Sequence, residues 1–482
     1  MTEAVSYQVA TEIPVSYMEK LFDFIYRQYM LPQKQRFTNF YREKTEGIPF
    51  LSYVVLDAQG KQLLKTEVKG TMPIEVKVIP IDGAVSATVM EEAKQDIVIA
   101  VQIFEENARK ATLYFAWREG EEIVPEKLKK QETSFNRLFL ETQILFFVVF
   151  IAFGMAIFLV LSPYPEYIWI APIVLIVVQF VFVFYSSNFI ARTADWHITE
   201  ANPIIHLLKY NLPIKENEDL KQTLTREQLL AIKKEVYDEI LAKHGEIDCA
   251  AAQKVFAKHG ISCQPENLSV KKVNVYDLVK RIADKFGFPM PKIVVSNTMV
   301  PNAAAAGPSP SRGVVLITTG LLVQLEEEEV VSVLGHEFGH LKGRDPLVLY
   351  GLTSAEFLFR FYVLFPLFPL FFSSFLFFFY FWAVMVVIFF IAKFFEARAD
   401  LISAIMMGKP TVLAGALEKI GFQRLLYERT PSFRVQEWLG LDPHPPIYFR
   451  VERLEKLEAP EKIKHPLLQS IKDVVSGFRD SL

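Results

Sequence analysis

Cysteine is almost absent from this chain of 482 residues. Cys249 and Cys263 are the only two, and they are too far apart in sequence to form a CxxC pair. The sequence therefore lacks the disulfide framework that holds small secreted domains together. From this absence we expect both thiols to be reduced and the polar parts of the chain to lie in the cytoplasm.

An excess of charge is also missing. The chain carries 52 Lys and Arg residues against 55 Asp and Glu residues, so no overall electrostatic field would draw it to nucleic acid or to acidic partners. The N-terminus reads Met1-Thr-Glu-Ala-Val-Ser-Tyr, with neither a basic region nor an early apolar core, and we expect no signal peptide. Targeting to a membrane must therefore come from internal segments.

Apolar residues, in contrast, are abundant. Hydrophobic residues make up 51% of the chain, and the mean hydropathy is +0.23. Two blocks, residues 144–161 and 167–190, are each long enough to cross a hydrocarbon core of about 30 Å as a helix. Their connector has no Lys or Arg, whereas basic residues precede the first block and follow the second. The positive-inside rule then predicts a transmembrane hairpin with both ends in the cytoplasm; a buried hairpin in a soluble protein is the weaker alternative.

A third apolar block covers residues 347–392 and consists almost entirely of Phe, Leu, Val and Ile after Arg360. If the polar segments on both sides of this block build one site, the block must cross the membrane an even number of times. Two spans with a break near residues 366–374 satisfy this condition, and so does a re-entrant hairpin. Glu356 and Arg360 form an i, i+4 pair that could stay near the membrane surface.

The polar segments complete the expected domain organisation. The N-terminal segment alternates in the pattern of a small α+β domain, with a helical opening over about residues 15–45 and a helix near 88–107. An amphipathic helix near 275–286 opens the C-terminal part, and two strands follow it. The predicted divisions are a soluble α+β domain at 1–136, a transmembrane hairpin at 137–190, a cytoplasmic linker and helical insertion at 191–273, and a C-terminal domain at 274–482 that contains the third apolar block.

Two histidines of the C-terminal domain lie one helical turn apart in the string His336-Glu337-Phe338-Gly339-His340. Spacing i, i+4 places both rings on one side of a helix, where their nitrogens can reach one Zn²⁺ at about 2.0–2.1 Å. Glu337 lies beside that face, where it can deprotonate a metal-bound water. A catalytic zinc site needs three protein ligands and an open position, so the string alone is also compatible with an ordinary amphipathic helix.

Glu396 is the best candidate for a third ligand. It begins Glu396-Ala397-Arg398-Ala399-Asp400, where the third apolar block gives way to charge. Glu396 and Asp400 share one helix face, so one carboxylate can ligate zinc while the other orients a histidine through its free ring N–H. Without the histidines, a solvated helix start above the membrane would explain these charges. Asp345 is a poor ligand candidate, because it lies five residues after His340 at the expected end of the helix.

The order HExxH, hydrophobic hairpin, ExxxD resembles the HtpX-type membrane zinc endopeptidases and their relatives, the CAAX prenyl endopeptidases. The resemblance covers about residues 275–457 and the N-terminal pair of spans. Asn302-Ala303-Ala304-Ala305 is similar to the Asn-Ala-Phe-Ala edge segment of the family, with Ala304 in place of Phe. Thr318-Thr319-Gly320-Leu321-Leu322 resembles the run before the motif helix, and His444-Pro445-Pro446 with the later Arg450 resembles the C-terminal signature.

The resemblance implies a fold class and a set of roles. The fold would be a mainly α integral membrane protein with a gluzincin-like zinc metalloprotease domain and a small β edge segment, beside a separate α+β N-terminal domain. His336, His340 and Glu396 would hold one Zn²⁺ per chain, and Glu337 would act as general base and proton shuttle. The other implied roles are orientation of a ligand by Asp400, stabilisation of the oxyanion by His444 with support from Arg450, and substrate binding by Asn302, Ala303, Ala304 and Ala305.

We therefore expect a multi-pass membrane endopeptidase whose catalytic domain faces the cytoplasm and hydrolyses extended segments of membrane or misfolded proteins. The alternative among enzymes is the processing of prenylated peptides. The alternative outside enzymes is a catalytically silent membrane adaptor that binds partners through residues 1–136. The expected partners are a polypeptide substrate and the lipid bilayer, not nucleic acid, and the sequence leaves the oligomeric state open.

Overall fold

A computed structural model describes residues 4–118, 163–211, 226–240, 248–372, 375–421 and 431–481, apart from residues 12, 14, 46, 58, 82–86 and 111, and adds residues 156–157, 159–160 and 243. The first predicted membrane span, 144–161, lies almost entirely outside the described residues. The chain divides into two compact units. The first unit comprises Met1–Leu113, Lys209–Ile240 and Glu246–Ser269, and the second unit comprises Tyr114–Leu208, Leu241–Gly245 and Val270–Leu482.

An antiparallel sheet of five strands forms the centre of the first unit. Period-2 alternation explains why these residues form strands: Ile74, Val76 and Val78 are buried and the residues between them are exposed. Helices Met18–Phe24 and Ala87–Lys110 pack against this sheet. The strand order across the sheet is Val5–Val9, Ile74–Pro80, Gln62–Lys69, Ile48–Leu56 and Phe37–Thr45.

One N-terminal prediction is wrong. The helical opening expected over about residues 15–45 ends with a 3₁₀ turn at Leu31–Gln33, and Phe37–Thr45 is a strand at the sheet edge. The ring of Phe37 is buried and meets Tyr53 edge-on at 5.5 Å, so packing on the neighbouring strand overrides the helical pattern.

Two helices of the predicted insertion, Arg226–Glu239 and Cys249–Lys258, belong to the first unit. Cys249 forms a disulfide bond with Cys263, and their Cα atoms lie 5.4 Å apart. The expectation of two reduced thiols is therefore wrong. The helix ends at a turn in which Gly260 has a φ of +68°, and this turn leads the chain back along the helix, which the spacing of the cysteines alone does not reveal.

The second unit contains a sheet of four strands. Lys292–Ser296 and Val314–Thr318 form its parallel centre. Ala303–Ala306 pairs antiparallel with Val314–Thr318 on one side and is called the edge strand below. Trp196–Ile198 completes the other side. A separate three-stranded sheet has the order Thr112–Arg118, Ile204–Asn211 and Leu268–Asn274.

Helix Val275–Phe286 shares a hydrophobic core with the four-stranded sheet and has the predicted bounds. Asn274 caps its first turn by accepting a hydrogen bond from the Asp277 backbone N–H. The chain leaves the helix at Gly287, which adopts the left-handed conformation that glycine favours. Its buried side chains recur at the spacing of one helix face and are Val275, Leu278, Val279, Ile282, Ala283 and Phe286.

The motif helix, Glu327–Gly343, starts with a capping box formed by Glu326 and Glu329. It packs against a helix of 32 residues, Leu376–Met407, which is called the long helix below. Small residues line the contact: a Cβ atom at Gly339 would lie 3.0 Å from Cα of Ala399. This close approach brings the Glu396 face of the long helix onto the histidine face of the motif helix.

Two described helical segments are long and apolar enough to cross a membrane, by length and composition: Asp345–Leu367, with a mean hydropathy of 1.4, and the long helix, with 2.3. The chain turns between them near the predicted break at 366–374. Helix Ala171–Thr193 covers the second predicted span, although its apolar part is shorter. Further α-helices among the described residues of the second unit include Thr319–Gln324, Pro410–Ile420, Pro431–Leu439, Ile447–Glu455 and Pro466–Asp480.

Candidate metal centre

Three side chains bring their donor atoms together between the motif helix and the long helix. Nε2 of His336 lies 3.1 Å from Nε2 of His340. The carboxylate of Glu396 places Oε2 at 3.4 Å from the first nitrogen and Oε1 at 3.3 Å from the second. Ligand atoms about 3.3 Å apart are what a tetrahedral ion with bonds of about 2.0–2.1 Å requires. The three predicted ligands therefore fit one Zn²⁺.

The centre of this triad is buried, and one of its atoms lacks a hydrogen-bond partner. The side chain of Glu396 is 11% exposed, and its Oε2 atom has no hydrogen bond among the described residues. A buried carboxylate oxygen without a partner is costly. A cation bound at the triad would satisfy that oxygen, so the donor set suits a metal site better than a hydrogen-bond network.

The far side of His336 is held by a buried pair. Oδ1 of Asp400 lies 2.8 Å from Nδ1 of His336. Arg450, on helix Ile447–Glu455, donates to both carboxylate oxygens of Asp400, at 2.9 and 2.7 Å. The structure thus pairs Arg450, which we expected to support His444, with Asp400, which we expected to orient a ligand. Because the carboxylate fixes Nδ1, Nε2 is the ring nitrogen that faces the triad.

A second pair, which the sequence analysis did not predict, holds His340. Oδ2 of Asp345 lies 2.8 Å from Nδ1 of His340, and Arg398 donates to Oδ1 of the same carboxylate. Asp345 follows the left-handed residue Arg344, where the motif helix ends and the next helix begins. That sharp turn points the carboxylate back at the histidine, and an aspartate just past a helix end is the only sequence signal for it.

Glu337 lies beside the triad and contacts the edge strand. Its Oε2 accepts a hydrogen bond of 2.9 Å from the backbone N–H of Ala305. This N–H points away from the ladder with Val314–Thr318 and towards the motif helix. The edge strand therefore fixes the carboxylate that we predict as general base.

The predicted substrate edge lies next to Glu337. The backbone of Asn302 is tied to Thr318, whose hydroxyl accepts from the Asn302 N–H at 2.8 Å. Ala303 to Ala306 are all partly exposed, and their outer side has no neighbouring strand among the described residues of that sheet. Glu337 accepts from one N–H of this edge, and backbone groups of such an edge that have no partner can pair with an extended peptide.

His444 lies at the rim of the site. Its Nε2 is 3.5 Å from Oε2 of Glu396, and its Nδ1 is 2.8 Å from Oδ1 of Asp442. Lys393, fully buried on the long helix, donates to the carbonyl oxygens of Gly440 and Asp442. This lysine, which sequence reasoning missed, anchors the loop of His444 one helical turn from Glu396.

Carboxylates control the protonation of the histidines. Burial alone would lower the pKa of both rings, yet the pKa of His336 is raised by the hydrogen bond to Asp400 and by the neighbouring carboxylate of Glu396. The pKa of His340 is raised well above its usual value by the charge of Glu396 and by the hydrogen bond to Asp345. Without metal, these rings keep their protons to a higher pH than free imidazole, so a metal ion must displace protons to bind.

Comparisons with known proteins agree with this geometry. Residues 269–458 match Peptidase family M48. Protease HtpX homolog 2 from Methanosarcina acetivorans is 31% identical over 220 residues, which cover 38% of this chain and 72% of that protein. Protease HtpX homolog from Pyrococcus abyssi is 32% identical over 207 residues, with coverage of 37% and 72%. The homolog from Thermodesulfovibrio yellowstonii is 31% identical over 210 residues, with coverage of 38% and 74%.

The matched region contains the motif helix and the two apolar segments Asp345–Leu367 and Leu376–Met407, which together are called the apolar hairpin below. It also contains Glu396, so the resemblance seen in the sequence is confirmed. The residue-by-residue roles stay predictions. The family and the buried His-His-Glu triad together identify the reaction class. The chain belongs to peptidase family M48, as an HtpX-type metalloendopeptidase.

Proposed function

We propose that this chain is an integral membrane zinc endopeptidase that cleaves extended segments of membrane or misfolded proteins. The observation that carries the proposal is the triad of His336, His340 and Glu396, with donor atoms 3.1–3.4 Å apart beside the carboxylate of Glu337. Zinc held there would polarise the scissile carbonyl and lower the pKa of its bound water.

The protein side chains move the protons. Glu337 takes a proton from the attacking water and passes it to the departing amine. The hydrogen bond from the Ala305 N–H keeps this carboxylate at the edge strand, where the peptide would lie. His444 is partly exposed and its Nε2 lies 3.5 Å from Oε2 of Glu396, so we assign it the stabilisation of the developing negative charge.

The edge strand supports the choice of substrate. Backbone pairing selects an extended chain, because a folded segment cannot present its N–H and C=O groups to a strand edge. Four consecutive alanines, Ala303–Ala306, add no bulk next to the scissile bond. We infer that the site accepts large side chains there, as unfolded apolar segments would supply.

The apolar helices support a location in the bilayer. Phe378, Phe379 and Trp382 on the long helix are 72%, 64% and 58% exposed, and an apolar surface of this kind is favourable in lipid and costly in water. The ligand Glu396 follows the apolar part of the same helix. Substrates at the membrane surface would therefore reach the site directly, which fits quality control of membrane proteins.

We place the second unit on the cytoplasmic side, because basic residues flank the predicted N-terminal hairpin. The Cys249–Cys263 bond of the first unit argues for the other side, since disulfides persist mainly in oxidising compartments. Lys462 is exposed, so Lys462→Cys can be labelled from outside intact cells with a membrane-impermeant reagent. Labelling only after lysis supports the cytoplasmic side, and labelling of intact cells overturns it.

Cleavage by Glu337→Gln tests the function. With a membrane-protein fragment or casein as substrate, we expect the variant to lose at least about a hundredfold in rate, because general-base catalysis is removed. The control is Glu327→Gln, which changes an exposed carboxylate in the first turn of the same helix and should match the wild type. A zinc-loaded wild type that cuts no faster than Glu337→Gln would identify the silent adaptor instead. Cleavage restricted to prenylated peptides would identify the CAAX-type alternative.

A further inference from the structure

Asp345 and Arg398 form an ion pair between the polar ends of the two apolar helical segments, Asp345–Leu367 and the long helix. Asp345 is the first residue of Asp345–Leu367. Arg398 lies on the long helix, two residues after Glu396, near the end of its apolar part. The guanidinium of Arg398 donates to Oδ1 of Asp345, and both side chains are largely buried, at 11% and 4% exposure. The pair therefore closes the hairpin at its polar end.

The same aspartate also contacts a predicted metal ligand. Its second oxygen, Oδ2, lies 2.8 Å from Nδ1 of His340. One carboxylate thus holds the hairpin through one oxygen and an imidazole through the other. Gly343 makes room for this arrangement, because a Cβ atom there would overlap the guanidinium of Arg398.

The two histidines are consequently oriented from different parts of the second unit. His336 is held through Asp400 and Arg450, where the arginine comes from helix Ile447–Glu455. His340 is held through Asp345 and Arg398, and both of these residues belong to the hairpin. Asp400 also lies on the long helix, but its arginine partner comes from helix Ile447–Glu455. Separation of Asp345–Leu367 from the long helix would therefore break the pair that fixes His340, whereas the pair that fixes His336 does not join these two segments.

We propose that Asp345 and Arg398 form a clasp that positions His340 for zinc and links zinc affinity to closure of the apolar hairpin. The clasp rests on the proposed zinc site. Asp345 is a positioning residue, because it acts on the metal through an imidazole. Arg398 acts one step further away, through Asp345. Residues that support metal ligands in this way change metal affinity by about 10–100-fold.

Zinc dissociation constants from chelator competition test the clasp. We expect Asp345→Asn to weaken zinc binding by about 10–100-fold. The matched control is Asp473→Asn, which breaks a similar pair: Arg453 donates to Asp473 at 2.7 Å and to the carbonyl of Ala397 on the long helix at 2.6 Å. That pair does not reach a histidine, so the control should stay within about twofold of the wild type.

Arg398→Lys provides the second variant, since it keeps the charge and loses the planar fork. Arg398→Lys should weaken zinc binding less than Asp345→Asn does. The double variant should bind zinc about as weakly as Asp345→Asn alone, because both substitutions act through one carboxylate. The visible spectrum of the cobalt-substituted protein should change in Asp345→Asn and not in Asp473→Asn, which a purely structural role would not produce.

The outcomes separate the clasp from the zinc site. A wild type that binds zinc, with Asp345→Asn and Arg398→Lys both within twofold of it and with unchanged cobalt spectra, overturns the clasp and leaves the proposed function intact. A wild type that binds no zinc overturns the proposed function and the clasp with it. Weaker zinc binding in Asp473→Asn equal to that in Asp345→Asn also overturns the clasp, because the loss would then be a general effect on the long helix.

Discussion

The two halves of the long helix have different surroundings. In residues 376–391, the aromatic side chains of Phe378, Phe379, Phe381 and Trp382 are exposed. In residues 392–407, most side chains are buried, including the carboxylates of Glu396 and Asp400. The backbone is one continuous helix. The composition of each half, and not the fold of the backbone, therefore determines what that half contacts.

This difference explains where the polar side chains of the site lie on the long helix. The exposed half offers large apolar rings, which suit lipid. The buried half carries small residues, Ala399 and Ser403, where the motif helix approaches. The site begins where the first pattern gives way to the second, so a helix that we assign to the membrane brings a predicted metal ligand, Glu396, into a buried centre.

The largest expected effect comes from Glu396→Ala in the buried half. Removal of the third donor leaves two histidines, and a stable catalytic zinc site needs three protein ligands. We expect zinc affinity and peptidase activity to fall on the order of a thousandfold or more, measured by metal analysis and cleavage rate. Phe379→Ala in the exposed half should bind zinc like the wild type. Undiminished zinc in Glu396→Ala would move the third ligand elsewhere.

Asp400→Asn should have the next largest effect. It removes the charge between His336 and Arg450, so zinc should bind about 10–100-fold more weakly. Arg450 would stay buried without its partner, which costs about 3–5 kcal/mol in the free energy of unfolding. Chelator competition and denaturant titration measure the two losses. Asp480→Asn, at the exposed end of helix Pro466–Asp480, should change neither, and an unaltered zinc affinity in Asp400→Asn would contradict the assigned support.

Gly339→Ala tests the close approach of the helices. The new Cβ would lie 3.0 Å from Cα of Ala399, and overpacking of this kind destabilises by about 1–3 kcal/mol. Gly351→Ala is the matched control, because a Cβ at that helical position meets nothing within 4 Å. It should stabilise by about 0.5–1 kcal/mol through helix propensity. Equal unfolding midpoints for the two variants would show that the packing of the motif helix against the long helix does not require a glycine at position 339.

The two histidines should make fold stability and zinc binding depend on pH. In the zinc-free protein the raised pKa of His336 and of His340 stabilises the fold fully below the usual imidazole pKa of about 6.5. That contribution is lost as the pH rises through the raised values. Zinc must displace these protons, so its apparent dissociation constant should rise about tenfold per pH unit of acidification for each proton displaced. Zinc titrations between pH 6 and 8 measure this slope, and a flat profile would contradict it.

Residues whose role depends on local spacing could be predicted from the sequence. His336 and His340 share a helix face because of the i, i+4 period, and Glu396 and Asp400 do so for the same reason. Helix Val275–Phe286 has a strong apolar face and clear caps, and its predicted bounds agree with the structure.

Residues whose role depends on a turn or on a distant contact could not be predicted. Asp345 reaches His340 because Arg344 adopts a left-handed conformation. Lys393 looks like an ordinary charge at the end of an apolar block, and its contacts lie more than forty residues away. The Cys249–Cys263 bond also depends on a turn. Tertiary contacts of this kind leave no periodic signal in the sequence.

X-ray absorption at the zinc edge of the zinc-loaded protein shows which atoms bind the metal. We expect a first shell of two imidazole nitrogens and carboxylate oxygen at about 2.0–2.2 Å, with no sulfur. In Glu396→Ala the protein oxygen should disappear from that shell. A sulfur ligand, or a first shell that stays the same in Glu396→Ala, would contradict the assignment of His336, His340 and Glu396 as the zinc site.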